Sequence, residues 1–346
     1  MKFTELMTAA LCSVLGATAT FAETEPQHLK VVGTWGYLNT WPEVERPFWE
    51  ETLNEASGGN LTVEASPMTE LGLKGFEIMR MMQLGIFDVG HGIISYLGDD
   101  AVAEGADLAG IVQNFEQAEA AADAYSPVLA ESFAQSYDAR LLAVYPFPSN
   151  LMYCNTPVST LSDLEGLKIR SYSKSMSDLI SGLGATPVTI PFGEVVPALQ
   201  LGTVDCGITG TLPAYTSGWG DVTTHLVRIS TGYALSYAAM SNSAWDRIDE
   251  GTRSLIMDNV ESLSDRAWDV AKRDDAAGIA CLTDGPCSHG EPAGLVNVEL
   301  SDSDKETLAN VLVGSVLGSF ADRCDDGCIL RWNDTIGQVT DLAIAQ

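Results

Sequence analysis

Leu167-Lys168-Ile169-Arg170-Ser171-Tyr172-Ser173-Lys174 reads as a strand that turns into a helix. The helix is carried by Met176, Leu179, Ile180 and Leu183, at i, i+3, i+4 and i+7, and Gly184 stands just after them as a C-terminal stop. Residues 186–190 then read as a strand, 194–201 as a short helix ended by Gly202, and 204–208 as a further strand. Strands alternating with helices predict an α/β fold with a mostly parallel sheet covered on both faces.

The same alternation extends upstream. Residues 29–32 read as a strand, followed by a helix carrying Phe48, Trp49, Leu53 and Ala56 that ends at Gly58-Gly59. A strand at 61–63 precedes a helix from about Leu73, with Phe76, Met79 and Gln83, that stops at Gly85 before a strand at 87–89. A helix with Ala122, Tyr125, Leu129 and Phe133 on one face is expected to kink or restart at Pro127. A strand at 141–144 closes this unit, and 146–148, with Pro146 and Pro148, reads as a crossing into the next. Downstream, one long helix is predicted from Trp245 to about Ala277, striped by Ile256, Val260, Leu263, Ala267 and Val270. A last helix carries Leu308, Val311, Leu312 and Val316, with Gly314 inside it.

With 346 residues the chain has room for two domains. Its 18 Lys+Arg against 47 Asp+Glu give a net charge of −29, while 46% of residues are hydrophobic, so global disorder is excluded. A chain this acidic lacks the basic stripe that binds nucleic acid or an anionic membrane face. Residues 1–22 read as a secretory signal: Lys2, an apolar run through Met7, Leu11, Val14 and Leu15, then small residues up to Ala22. That run is shorter than the roughly 20 apolar residues that span a bilayer.

Apart from Cys12, six cysteines remain. Cys281/Cys287 and Cys324/Cys328 form two close pairs, read in an exported protein as one or two disulfides clamping the C-terminal region. A metal site with His289 is the competing reading, although neither spacing matches the common zinc patterns. Cys154 and Cys206 lie in apolar strand-like segments and read as buried thiols.

No G-x-S-x-G, H-E-x-x-H, Walker A sequence or strand-linked G-x-G-x-x-G is present, so the motifs give no reason to propose an enzyme, and no cofactor or metal is expected. The four Met residues between Met68 and Met82 read as core filling. Arg170 stands apart because it ends a strand just before a helix opens. Ligands of open parallel sheets bind beyond the carboxyl ends of the strands. There a helix N-terminus favours an anion, and a guanidinium can hold a carboxylate with two parallel hydrogen bonds. The alternative is a surface salt bridge with one of the many carboxylates.

The run Leu161-Ser162-Asp163-Leu164-Glu165-Gly166-Leu167-Lys168-Ile169-Arg170 resembles the signature of solute-binding proteins of tripartite ATP-independent periplasmic (TRAP) transporters, the C4-dicarboxylate-binding-protein-like family. The likeness continues through Gly184-Ala185-Thr186-Pro187 and the run from Pro191-Phe192-Gly193-Glu194 to Gly202-Thr203-Val204-Asp205. Upstream it touches Thr69-Glu70-Leu71-Gly72 and Met82-Gln83-Leu84-Gly85-Ile86-Phe87-Asp88. The resemblance implies an α/β two-domain periplasmic-binding-protein clamshell, each domain a mostly parallel sheet flanked by helices, braced by a long helix. Residues 23–147 with a returning segment of about 234–275 would form one domain. Residues 148–233 would form the other, with the C-terminal segment of about 276–346 packing on the domains.

It also implies that Arg170 pairs with the carboxylate of a small organic acid and that Phe192 packs against it. Thr209 falls where many members carry Asn, and Asn150 near a position where some sialic-acid-binding members carry a second basic residue. Both departures argue against assuming sialic acid or a C4-dicarboxylate. Position adds Trp35, just after the first strand, as a cleft wall, and His91, after the strand at 87–89, as a donor or an acid-pH charge. Trp219 and Tyr233 complete the candidates. The expected role is a periplasmic monomer that delivers its ligand to a permease of one small and one large integral membrane subunit. An exported enzyme acting on an organic acid, or a sensing module for a membrane receptor, are the alternatives.

Overall fold

A computed structural model describes residues 26–345; the predicted signal segment, with Cys12, lies outside them. The strands are β1 (Gln27–Gly33), β2 (Leu61–Pro67), β3 (Val89–Ile93), β4 (Ala139–Cys154), β5 (Lys168–Ser171), β6 (Thr186–Thr189), β7 (Cys206–Gly210), β8 (His225–Val227), β9 (Tyr233–Ser241) and β10 (Val296–Val298). Their order is β2-β1-β3-β9-β4-β7-β5-β6, with β8 pairing β4 and β10. β2-β1-β3 and β7-β5-β6 are parallel blocks, as strand–helix alternation requires. β9 and β4 run antiparallel between them, so the whole sheet is mixed.

β4 joins the two blocks. It pairs β9 from Ala139 to Ser149 and β7 from Asn150 to Cys154, with a shift of register between Pro146 and Ser149. The two prolines cannot donate to a ladder, so the crossing falls where pairing is already broken. Sequence reading saw the crossing but missed β9. All nine of its residues are buried, and a strand covered on both faces shows no apolar–polar alternation.

Three helical expectations change. The helix of Ala122 and Phe133 runs unbroken over Phe115–Ser136 despite Pro127. Pro127 and Asp123 both face solvent, so the carbonyl that loses its partner is not buried, and the Ser126 hydroxyl donates to the Ala122 carbonyl at 2.8 Å beside them. The helix expected from Leu73 begins only at Ile78, because Gly75 takes a φ of +105°. The long helix is two, Asn242–Arg247 and Glu250–Leu282; Asp249 caps the second by accepting from the Thr252 amide at 2.7 Å. Its stripe of Ile256, Val260, Leu263, Ala267 and Val270 packs into a core with Leu29, Val31, Trp49 and Leu53. A second core holds Met68, Met79 and Met82.

Near its C-terminal end the long helix meets the helix Thr211–Thr216. A Cβ on Gly278 would lie 2.1 Å from the Leu212 nitrogen, so the two backbones touch. Asp275 accepts from the Ser149 amide and hydroxyl and, at 3.0 Å, from the Thr211 hydroxyl. This helix therefore holds the β4 crossing and the segment after β7 together.

Cys281–Cys287 and Cys324–Cys328 are disulfides, which leaves no thiolate for a metal beside His289. Cys154 and Cys206, read as free thiols, form a third disulfide. They stand directly opposite each other in the β4–β7 ladder, a register that local sequence cannot reveal.

Candidate functional site

The carboxyl ends of β1, β3, β5 and β7 and the crossing of β4 line a cavity of about 40 Å³. β5 places Arg170 there because it is the next-to-last residue of the strand, held between Val188 of β6 and Gly207 of β7. Its side chain is buried, with 1% exposure. Nε donates to the Ile190 carbonyl at 2.9 Å and Nη1 to the Ile208 carbonyl at 2.7 Å, which fixes the plane of the guanidinium. Nη2 has no hydrogen-bond partner. Burial pulls the Arg170 pKa down, and the neighbours that oppose this are Tyr96 and Tyr172 rather than any carboxylate. The guanidinium carbon lies 5.0 Å from the centre of the Tyr172 ring. A buried cation without a counter-charge costs several kcal/mol, and an anion at Nη2 would offset that cost.

Aromatic rings form the wall. Trp35 meets Phe192 edge-on at 5.6 Å, Phe147 at 6.2 Å and Tyr96 at 6.3 Å. Tyr37 stacks on Phe192 at 6.3 Å from the opposite block of the sheet. Tyr96 abuts Tyr172 at 5.8 Å, and the Asn150 amide donates to the Tyr172 hydroxyl at 2.7 Å. Thr209 and Gly210, at the end of β7, complete this side. At the rim Lys74 pairs with Glu194, and Lys174 pairs with Asp99 at 3.1 Å, each pair linking one parallel block to the other.

Of the residues singled out in the sequence, Arg170, Phe192, Thr209, Asn150 and Trp35 line this cavity together. His91 does not. β3 runs over Val89–Ile93 instead of ending at residue 89, so His91 falls in the middle of a strand that is buried throughout. Trp49 Nε1–H donates to its Nε2 at 2.7 Å, and its Nδ1 faces the Tyr145 hydroxyl at 2.6 Å, which in turn donates to Glu45 at 2.8 Å. Burial lowers the His91 pKa to about 3 and raises that of Glu45 to about 7, so His91 brings no acid-pH charge to a cleft. Trp219 supports the wall from behind, 6.1 Å from Phe192 and 5.6 Å from Tyr153. Tyr233 packs on Phe115 at 4.4 Å, outside the cavity. Sequence reasoning missed Tyr96, Tyr172 and Phe147. Tyr172 lies two residues past Arg170 in the turn quoted first and was within reach; Tyr96 carried no signal.

Behind the wall, Asp107 is buried and accepts from the Ser95 hydroxyl at 2.6 Å and the Leu235 amide at 3.3 Å, each next to a lining residue. Burial raises its pKa from 3.8 to about 7, against both hydrogen bonds. The folded chain thus binds this proton more tightly than the unfolded one, and stability from this group is lost as pH rises from about 4 to about 7. Asp107→Asn keeps an acceptor for both donors and removes the titration. Urea denaturation of both proteins is expected to show wild type losing a few kcal/mol relative to the variant between pH 4 and 7. Parallel pH curves would refute this.

The family model described as "Bacterial extracellular solute-binding protein, family 7" matches residues 43–289. The C4-dicarboxylate-binding periplasmic protein DctP of Rhodobacter capsulatus is 26% identical over 240 residues, 68% of this chain and 72% of that protein. A TRAP periplasmic solute-binding protein from Desulfovibrio salexigens, solved with bound orotic acid, superposes with a TM-score of 0.81 at 18% identity, covering 90% of this chain and 99% of that one. A Bordetella pertussis extracytoplasmic solute receptor that binds pyroglutamic acid gives 0.79 at 20% identity, with the same coverage. At these identities the two structures establish the α/β two-domain clamshell, and the match over most of the chain establishes the family: this protein belongs to the bacterial extracellular solute-binding proteins of family 7.

Proposed function

We propose that this protein captures a carboxylate-bearing small organic acid at Arg170 and delivers it to a TRAP-type membrane permease made of a small and a large integral subunit. The observation that carries the reading is the unpartnered Nη2 of a buried, two-point-anchored guanidinium facing a cavity. Relatives solved with pyroglutamic acid, orotic acid and galactonate, each an acid, support it. We assign residues 23–147 and about 234–275 to one domain and 148–233 to the other, with about 276–346 packed on both. The cavity then lies between the domains, and a ligand touching Trp35 and Arg170 together favours the closed form.

The working compartment is the periplasm, reached by cleavage of a signal at residues 1–22, and the working unit is a monomer. The protein binds and releases its ligand without changing it. A thermal-shift screen of the purified chain against organic acids should raise the melting temperature for a subset of them, and mass spectrometry should recover those acids intact. Stabilisation by none of them, or conversion of a bound acid to product, would overturn the proposal.

A further inference from the structure

The cavity lining says more about the ligand than that it is an acid. Among the described residues, Arg170 is the only charged one that lines it, although the chain has 47 Asp+Glu and 18 Lys+Arg. The rest of the lining is mostly apolar, with Leu38, Ile93, Phe147, Pro213 and Ala234 beside Trp35 and Phe192. The polar complement is short: Asn150 and the Tyr172 hydroxyl, already bonded to each other, with Thr209 and the Tyr96 hydroxyl. The cavity, about 40 Å³, is far smaller than the roughly 300 to 1,000 Å³ common for ligand pockets, which favours a compact ligand.

Each chemical class meets this lining differently. A second carboxylate on the ligand would be buried with no cation to answer it. An ammonium would be buried with no carboxylate, since among the described residues no Asp or Glu lines the cavity. A polyhydroxy acid would carry more donors and acceptors than Asn150, Tyr96, Tyr172 and Thr209 can satisfy, and each unsatisfied group counts against binding. An apolar or flat body bearing one carboxylate leaves nothing unpaired.

Resting on the reading of Arg170 as the carboxylate anchor, we infer that the cavity selects a compact monocarboxylate with an apolar or flat-ring body and at most one further polar group. It discriminates against dicarboxylates, sugar acids and amino-acid zwitterions.

The test is calorimetric titration of the purified chain, stripped of carried ligand by unfolding and refolding, with size-matched acids. The probes are isovalerate, ketoisovalerate and phenylacetate on one side, and succinate, gluconate, valine, phenylalanine and glycine betaine on the other. The tightest of the first group is expected to bind at least about tenfold more tightly than every member of the second. The pair ketoisovalerate and valine is the sharpest comparison, because only the ammonium differs from the ketone. If a dicarboxylate, gluconate or a zwitterion binds as tightly as the best monocarboxylate, the inference falls while the carboxylate-binding function stands. Glycine betaine leading the series would mean that the rings act as a cation box instead. Detectable binding by no acid would remove both.

Discussion

Arg170→Ala is expected to abolish ligand-induced thermal stabilisation while leaving a folded protein. Removing one member of a buried, hydrogen-bonded charge pair costs about 2–5 kcal/mol of binding, a loss of about 30-fold to several thousand-fold in affinity. The effect on folding is smaller because two changes oppose each other. The Ile190 and Ile208 carbonyls each lose a donor, which costs about 1–3 kcal/mol per group left unpaired, while a desolvated cation disappears from the interior. Arg170→Lys restores the charge but not the fork, and its ammonium cannot hold both carbonyls and an in-plane carboxylate at once. It should recover only part of the affinity. Calorimetry on the three proteins with an acid that stabilises wild type decides the matter. Undiminished stabilisation in Arg170→Ala would sink the assignment of the anchor.

Gly278→Ala should produce the second large effect, and its sign is the informative part. Inside a long helix, Ala in place of Gly favours folding by about 1 kcal/mol from propensity alone. Here the added Cβ would stand 2.1 Å from the Leu212 nitrogen, 2.4 Å from the Thr211 carbonyl carbon and 2.7 Å from the Leu212 Cα. All three are backbone atoms, so no rotamer change relieves the clash, and the helix Thr211–Thr216 must move as a body. Overpacking of this kind costs about 1–3 kcal/mol and sometimes more, which outweighs the propensity gain. A melting temperature several degrees lower is expected. Because Gly210 and Pro213 of the displaced segment line the cavity, ligand affinity should fall as well. A raised melting temperature with unchanged affinity would show that the contact is not under compression.

Much of the parallel architecture was legible because its signals are local. The strand of Arg170, the i, i+3, i+4, i+7 set from Met176 to Leu183 and the stripe from Ile256 to Val270 each depend on spacing within one element. What escaped depended on elements distant in sequence. β9 gave no alternation because both of its faces are covered, and the Cys154–Cys206 bond needed the pairing of β4 with β7. His91 shows how small an error in a strand boundary changes a functional reading: a strand reaching Ile93 instead of residue 89 moves it from a cleft to the core. Trp35 kept its place because β1 ends at Gly33, where the sequence put it within a residue. Tyr96 could not be anticipated, since it lies in a short turn after β3 whose path is set by packing against Phe76 and Trp35.

β4 constrains how the molecule can move. One covalent strand is stitched to β9 on one side of the crossing and to β7 on the other, where Cys154 and Cys206 lock it in place. Sliding of one half past the other would tear one of these ladders, whereas a twist at Pro146-Phe147-Pro148, where the register shifts and two residues have no N–H to give, disturbs the fewest pairings. The crossing is thus the place where the strand yields most easily to torsion, and Phe147, which lines the cavity, lies in it. A ligand that fills the cavity would therefore touch the crossing itself, through Phe147.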